Sequence, residues 1–488
     1  MAKNSIAADA SKLTISKSIT YSIALVTSMV LSRMLSLTEY GTYSQIVVAG
    51  TLFISVFSMG MPECSSFFLS RDESREGRRR FLSTYYTLNT FLGILAGAAA
   101  AALAPQIAAY FRNPAITGLA YVLAVYPWMT IIINTIDNIL VVYHRTTKLM
   151  VFRISSSILL LIVILITWLF RLSFHQYLAL FVAVSSLCAL AVYGIVSRLA
   201  GKLRVRIDRE LLKNIVRFSV PLGLASIVGT ISIQLDKLVI SNYFNTEQLA
   251  VYTNAAQEMP ITIISSAMTA VLMPRLVKLL ESRRYEDAVE LWGRSIRLVY
   301  TLFCFFVSLF IVFAPQIIAL LYSEKYLGGT GVFRVYCLVS LLRVTYFGMI
   351  LSCIGKTRFI LYSSAASLAL NFGLNFLCYF TWGFVGPAIA TFVCVLVINV
   401  IQLIFTCRCI SVPFGRIFPW GSMLRITLLN AAIACAVSFL LTRAGTSWAA
   451  VLAAVWAAVY GLLSFRFIRK QWRILSRAEE TSSVPSEP

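Results

Sequence analysis

Apolar stretches long enough to cross a lipid bilayer recur along the entire sequence. A transmembrane helix needs about 20 mainly apolar residues. Of the 488 residues, 59% are hydrophobic and 13% are charged, whereas soluble domains carry about 25% charged residues. The sequence therefore predicts an all-α polytopic membrane protein with about fourteen transmembrane helices joined by short loops. The predicted spans are 14–35, 41–69, 82–111, 115–143, 150–170, 174–198, 213–243, 247–280, 290–322, 330–354, 357–380, 383–407, 422–442 and 446–468.

Basic residues are distributed unevenly between the two sets of loops. If the N-terminus is placed inside and the spans alternate, all but eight of the 42 Lys and Arg residues fall in inner segments. This positive-inside bias predicts that both termini are cytoplasmic. It also explains the net charge of +22 without a nucleic-acid partner. The eight exceptions are Arg33, Arg112, Arg171, Lys237, Lys325, Arg334, Arg343 and Arg443.

Three short motifs recur in the same order about 210 residues apart, which indicates an internal duplication. They pair residues 104–110 with 314–322, residues 38–43 with 246–252, and residues 61–63 with 273–275. Each repeat contains six predicted spans, so the two halves should have the same orientation and be related by an axis along the membrane normal. We predict a six-helix N-terminal lobe, a six-helix C-terminal lobe, two additional helices and a disordered tail, at residues 1–205, 206–410, 411–470 and 471–488.

The region from Arg217 to Leu280 carries charges where a membrane span should have none. Asp236, Lys237 and Glu258 lie inside two predicted spans. Ionised side chains at that depth cost several kcal/mol unless they face protein or water, and they commonly mark a transport pathway.

The repeated motifs also resemble a known family. In the first half the resemblance rests on residues 31–35, 39–43 and 60–62; in the second half it rests on residues 218–221, 235–237, Tyr252 and 274–275. These segments are similar to those of bacterial polysaccharide-biosynthesis flippases, the Wzx-type oligosaccharide flippases. They belong to a superfamily that also includes drug-exporting MATE proteins and lipid II flippases.

The resemblance implies two lobes around a cationic central cavity in the bacterial plasma membrane. It implies as cargo an undecaprenyl-diphosphate-linked oligosaccharide, an O-antigen, capsule or exopolysaccharide repeat unit that moves from the inner to the outer leaflet by alternating access. The lipid bilayer and the polysaccharide polymerase machinery are the corresponding candidate partners.

Four cations are candidates for binding the diphosphate: Arg33, Lys237, Arg334 and Arg343. Arginine suits this role because its guanidinium is always charged and can hold phosphate through two hydrogen bonds. The alternatives are interfacial snorkelling for Arg33 and Arg334 and an ion pair for Lys237. Arg343 lies too deep in its predicted span for easy snorkelling, which favours a cavity or an internal ion pair.

Four acids are candidates for carrying a coupling ion, H+ or Na+, or for pairing with these cations. They are Glu63, Asp137, Asp236 and Glu258. Buried carboxylates can hold a proton or a sodium ion. Asp137 lies near the inner end of its span, so an interfacial position is the alternative there.

The sequence argues against an enzyme. Gly355-Lys356-Thr357 lacks the glycine five positions earlier that a nucleotide-binding loop requires. The ten cysteines are scattered and only two histidines occur, which predicts no metal site and no cofactor. The functional alternatives to a flippase for polysaccharide precursors are a cation-coupled multidrug exporter, a lipid II flippase, a membrane polymerase or ligase, and a non-transporting scaffold.

Overall fold

The computed structural model describes residues 2–71, 74–257, 262–344, 347–444, 448–462 and 464. The regular elements within these residues are helices, and the chain divides into two compact units, Met1–Asn254 and Ala255–Pro488. The predicted lobe boundary near residue 205 remains a prediction, because it rests on sequence similarity and not on contacts. The predicted tail 471–488 lies outside the described residues.

The first unit is built from α1 to α11, the last of which extends one residue beyond it. Their bounds are α1 Ala2–Met34, α2 Leu37–Ser58, α3 Met61–Arg71, α4 Arg75–Ala102, α5 Ala104–Tyr110, α6 Ala115–Gly118, α7 Ala120–Val142, α8 Thr146–Leu169, α9 Phe174–Ala200, α10 Arg209–Tyr243 and α11 Thr246–Ala255.

The second unit is built from α12 to α21, with two short 3-10 helices at Glu324–Gly329 and Gly383–Val385. Its α-helices are α12 Thr262–Glu281, α13 Tyr285–Val312, α14 Ala314–Leu321, α15 Thr330–Val344, α16 Met349–Cys353, α17 Thr357–Trp382, α18 Gly386–Ile410, α19 Phe414–Ile417, α20 Trp420–Ala444 and α21 Ala449–Leu462.

By length and apolar composition, ten helical stretches among the described residues can cross a membrane, or eleven if the bent pair α4–α5 is one span. One of the ten, Arg358–Ile410, includes α18 and nearly all of α17. The chain is thus an all-α multi-pass membrane protein, and the number fourteen remains a prediction.

Several predicted spans are broken into two helices. The predicted span 41–69 divides at Met59 and Gly60, whose φ angles of 40° and 71° are left-handed and end α2. The predicted span 82–111 bends by 58° between α4 and α5. Hydropathy runs through both breaks, so the apolar pattern alone did not reveal them.

The repeated Ala-Pro-Gln-Ile motif begins a short helix in each half. Pro105 and Pro315 occupy the second positions of α5 and α14. Proline is favoured in a first helical turn because its missing N–H would have no intrahelical partner there. The same sequence therefore produces the same helix start in both repeats.

In the first unit, α4 and α7 pack closely enough to exclude side chains. A Cβ added to Gly97 would lie 1.8 Å from the carbonyl oxygen of Ala124, and one added to Gly93 would lie 2.9 Å from Cα of Trp128. Gly93 and Gly97 form a G-x-x-x-G motif, a pattern that lets helix backbones approach closely. The core beside it contains Tyr85 and Ile136, both fully buried.

The segment between α9 and α10 is held against α4 by hydroxyl groups. The backbone N–H groups of Arg204, Arg206 and Asp208 each donate to a Ser or Thr of α4 at 3.3 Å. Asp208 then caps α10 by accepting from the N–H groups of Glu210 and Leu211 at 3.1 and 3.2 Å. Its carboxylate also accepts from Arg80.

Candidate functional site

Asp236 is the most deeply buried of the predicted site residues whose side chains are described. Its side chain lies on α10 and the residue is 2% exposed. The hydroxyl of Tyr252, a fully buried residue of α11, donates to Oδ2 of Asp236 at 3.0 Å. A carboxylate held in this way can exchange a proton or bind a monovalent cation, which is the chemistry that a coupling acid needs.

Lys237 follows Asp236 on α10 and is only partly buried. Adjacent residues of a helix point about 100° apart, so the two side chains need not share a partner. Their difference in exposure agrees with that geometry.

A buried polar network lies beside Asp236 in the first unit. Tyr40 donates to the Asn254 side-chain oxygen at 2.7 Å. Gln45 donates to Ser241 at 2.9 Å, and Asn113 donates to Gln45 at 2.7 Å. The hydrogen bond from Tyr40 to Asn254 thus connects α2 and α11.

This network surrounds a contact between the two copies of a repeated motif. Thr38 at the start of α2 donates to Glu247 at the start of α11 over 2.9 Å. The backbones approach so closely that a Cβ on Gly41 would lie 2.0 Å from the carbonyl oxygen of Thr246. Residues 38–45 and 241–254 thus form a tight junction between repeat-related helix ends, which we call the repeat junction.

Asp137 forms an ion pair instead of standing alone. Both carboxylate oxygens accept from Arg153 of α8, at 2.8 and 2.5 Å. The pair lines a cavity of about 520 Å³ between α1, α7, α8 and α9, together with Lys17 and Asn138. Of the two roles predicted for Asp137, the geometry is that of an ion-pair acid.

Three of the predicted cations are exposed. Arg33 donates to the Met29 carbonyl of its own helix at 3.2 Å, and Arg334 donates to the Ile311 carbonyl at 3.1 Å. Arg343 lies in the last turn of α15. Arg33 and Lys237 belong to the first unit, whereas Arg334 and Arg343 belong to the second.

Two predicted acids have no described side chain. Glu63 lies in α3 after the break at Gly60, but its side chain is outside the described residues. Glu258 is itself outside them. Among the side chains that the structure describes, no group of three His, Cys, Asp or Glu residues is close enough to hold a metal ion.

The uncharged polar residues of this site were not identified from the sequence. Tyr40, Gln45 and Asn113 were not singled out, although each is buried and hydrogen-bonded across helices. For Gln45 the available signal was an amide within an apolar stretch, because an amide at membrane depth requires partners. Asn113 lies between two predicted spans and carried no such signal. Arg153 was counted only as a topology residue, whereas it is the partner of Asp137.

Solved structures of membrane transporters share this fold. The lipid II flippase MurJ in an inward closed conformation is 15% identical with a TM-score of 0.76, and the match covers 93% of this chain and 98% of that one. An inward-facing multidrug resistance MATE family transporter of the MOP superfamily is 17% identical with a TM-score of 0.64, covering 80% and 94%.

A third similar structure is a MOP superfamily transporter from Pyrococcus furiosus, described as having a binding pocket of reverse polarity. It is 15% identical with a TM-score of 0.54, and covers 83% of this chain and 95% of that one. At these identities the likeness shows the fold alone. No curated protein sequence matches the chain significantly.

The family model described as polysaccharide biosynthesis protein matches residues 30–329, which is more than half of the chain. That range contains the repeat junction, Asp236 and the Asp137–Arg153 pair. The chain therefore belongs to the polysaccharide biosynthesis protein family and has the all-α fold of MOP superfamily transporters.

Proposed function

We propose that this protein is a flippase that moves a lipid-diphosphate-linked oligosaccharide across the bacterial plasma membrane by alternating access. The observation that carries the proposal is the family match over residues 30–329. The fold shared with a lipid II flippase over 93% of the chain supports it, because such a fold is already suited to a lipid-linked cargo.

The intramembrane charges supply the chemistry that this cargo requires. A lipid diphosphate carries a polar, anionic head group. Moving this group out of water is costly unless it meets another polar surface. In the proposal Arg33, Lys237, Arg334 and Arg343 attract that head, and arginine can hold a phosphate through two parallel hydrogen bonds. The sugar and the undecaprenyl chain are inferred from the family resemblance.

The repeat junction is the proposed gate on the outer side. It joins the starts of α2 and α11 through Thr38, Glu247 and the close approach at Gly41. Under the predicted topology these helix starts lie at the outer surface. In an alternating-access cycle this contact must separate before the head group can leave.

Asp236 is the proposed coupling acid, with Tyr252 as its positioning residue. Its burial and its phenol donor suit a carboxylate that gains and loses a proton or a sodium ion during the cycle. We assign a structural role to Asp137, because Arg153 already donates hydrogen bonds to both of its carboxylate oxygens.

A cellular experiment tests the transport role through Arg343. Loss of a charge-assisted hydrogen bond costs about 1.5–3 kcal/mol, which corresponds to roughly a 10- to 100-fold loss of binding. We therefore expect Arg343→Ala, in a strain lacking the native gene, to reduce surface polysaccharide at least about tenfold at equal protein abundance. Arg343→Lys keeps the charge and should retain more activity.

Arg443→Ala is the matched control. Arg443 is also an exposed arginine in the last turn of a membrane helix, and its guanidinium lies 5.2 Å from the centroid of the Phe439 ring. Normal surface polysaccharide with Arg443→Ala and a deficit with Arg343→Ala support the proposal. Equal amounts with both variants would contradict the role of Arg343.

The second candidate is a cation-coupled multidrug exporter. The similarity in fold to a multidrug resistance transporter, with a TM-score of 0.64, favours it. It predicts that the same strain gains ethidium efflux and that neutralising Arg343 leaves efflux unchanged or improves it. Efflux without any effect on surface polysaccharide would select this alternative.

A further inference from the structure

A second polar cavity lies in the second unit, and none of the predicted site residues lines it. Its volume is about 750 Å³, within the range of roughly 300–1,000 Å³ that is typical of ligand pockets. The first three turns of α13, the turn after α18 and helix α19 form its walls. Under the predicted topology it opens on the cytoplasmic side.

Three arginines line this cavity: Arg283, Arg297 and Arg416. Two glutamates, Glu286 and Glu290, also line it, but Glu290 is paired with Arg294 one turn further along α13. Three guanidinium groups therefore face one uncommitted carboxylate, and the cavity has an excess of positive charge.

One donor of Arg297 has no acceptor among the described residues. Its Nε atom is buried, and within the part of the chain that the structure describes this atom has no hydrogen-bond partner. Leaving a buried charged donor unpaired is costly, and an anion that accepts from this donor would recover that cost. A phosphate oxygen is the acceptor that a guanidinium binds best.

The chain continues from this cavity into an apolar, lipid-suited surface. Pro419 lines the cavity, and the next residue, Trp420, begins α20 with its ring stacked on Phe414 at 5.2 Å. Both rings are partly exposed, as are Leu424 and Leu428 one and two turns later, at 60% and 59%. Aromatic side chains of this kind mark the membrane interface.

We propose that this cavity binds the phosphate of an anionic phospholipid from the inner leaflet, with its acyl chains along α20. The guanidinium groups of Arg297 and Arg416 hold the phosphate, and the exposed leucines contact the hydrocarbon. Anionic lipids are concentrated in the cytoplasmic leaflet, and basic pockets between helices on that side are suited to their head groups. This site is independent of the proposed transport cargo.

Native mass spectrometry of the purified full-length protein tests the proposal. Protein in detergent is titrated with dioleoylphosphatidylglycerol, with dioleoylphosphatidylcholine and with inorganic phosphate. We expect saturable binding of phosphatidylglycerol, at least about tenfold weaker binding of phosphatidylcholine, which is uncharged overall, and no retained inorganic phosphate.

Variants then assign the binding to this cavity. Arg297→Gln with Arg416→Gln should weaken phosphatidylglycerol binding about tenfold or more, because two charge-assisted contacts are lost. The phosphatidylglycerol affinity of Arg297→Lys should lie between those of the wild type and the double variant, because lysine keeps the charge but cannot form two parallel hydrogen bonds with the phosphate. Arg284→Gln is the control, because Arg284 is adjacent to Arg283 but is paired with Asp287 and is not among the cavity-lining residues.

Two results of these titrations would overturn the proposal. Equal binding of phosphatidylglycerol to the wild type and the double variant overturns the proposal, as does inorganic phosphate bound as tightly as the lipid. Size-exclusion chromatography verifies that each variant is folded. If the double variant does not fold, Arg297→Lys and Arg416→Gln alone carry the test, and unchanged binding in both contradicts the site.

Discussion

Polar side chains at membrane depth are the informative residues of this protein. A charged residue in an apolar stretch is visible in the sequence, which is why Asp236 and Asp137 were identified. Their partners were not, because Tyr252 and Arg153 come from other helices. Neutral buried side chains such as Gln45 and Asn113, which bond to each other, lack the signal of charge, although their burial requires the same satisfaction by hydrogen bonds.

At Asp236 we predict that removing the carboxylate and removing its hydrogen-bond donor have different effects on transport. Asp236→Asn should abolish the dependence of transport on an imposed ion gradient, because an amide cannot exchange a proton or neutralise a cation. Tyr252→Phe should retain the dependence but slow transport about tenfold, because the buried carboxylate loses one donor, at a cost of about 1–3 kcal/mol. Initial rates in proteoliposomes with and without a gradient measure both effects.

Tyr21→Phe is the control for this pair, because Tyr21 is 50% exposed on α1. Undiminished gradient dependence in Asp236→Asn would rule out Asp236 as the coupling acid.

At Asp208 we predict a pH-dependent contribution to stability. The N–H of Leu211, then Arg80, hold the pKa of the Asp208 carboxyl below its ordinary value of 3.8. A carboxyl whose pKa is lower in the folded state stabilises the fold above its unfolded pKa, and this effect is lost as the pH falls through the lowered value. Asp208→Asn keeps an oxygen for capping α10 but removes the charge.

The melting temperature of Asp208→Asn in detergent should therefore lie below that of the wild type by a constant amount between about pH 5 and 7. This difference should begin to shrink below about pH 4 and vanish once the pH has fallen through the lowered pKa of Asp208. Asp287→Asn is the control, because its pair with Arg284 is exposed and contributes little. A difference for Asp208→Asn that persisted unchanged below pH 3 would contradict a role for the charge.

At the scale of elements, the sequence predicts where the apolar segments lie but not where they break. The predicted span 41–69 is α2 and α3, and the predicted span 290–322 is α13 and α14. Hydropathy averages over such breaks, because the residues on both sides are apolar. The missed signal was proline in a first helical turn, at Pro105 and Pro315, which marks a new helix start.

The contact between α2 and α11 yields a prediction about the repeat junction. Gly41→Val would force a side chain into the Thr246 carbonyl, and overpacking of this kind costs about 1–3 kcal/mol. The population of the closed junction should fall about tenfold or more. The transport rate should fall by a similar factor. Flipping assays report the loss, and crosslinking of cysteines placed at positions 38 and 247 reports the junction.

Gly194→Val is the matched control, since a Cβ on Gly194 in α9 has no atom within 4 Å. If crosslinking and transport by Gly41→Val equalled those of the wild type, the junction would not be the gate.

At the scale of the whole molecule, composition was sufficient to predict a multi-pass α-helical membrane protein, and the resemblance predicted its family, which the family match confirms. The charge bias of the loops still predicts the orientation. Arg33 and Lys237 belong to one unit and Arg334 and Arg343 to the other, and a common role of these four cations in binding one cargo remains a prediction.

Reconstitution in liposomes tests whether this protein moves a lipid-diphosphate-linked oligosaccharide. Purified protein in liposomes is given a fluorescent undecaprenyl-diphosphate oligosaccharide, and its appearance in the opposite leaflet is followed with a membrane-impermeant quencher. We expect translocation well above that of protein-free liposomes, a loss of about tenfold in Arg343→Ala, and no loss in Arg443→Ala. Translocation no faster than in protein-free liposomes, by protein that does transport ethidium, would contradict it.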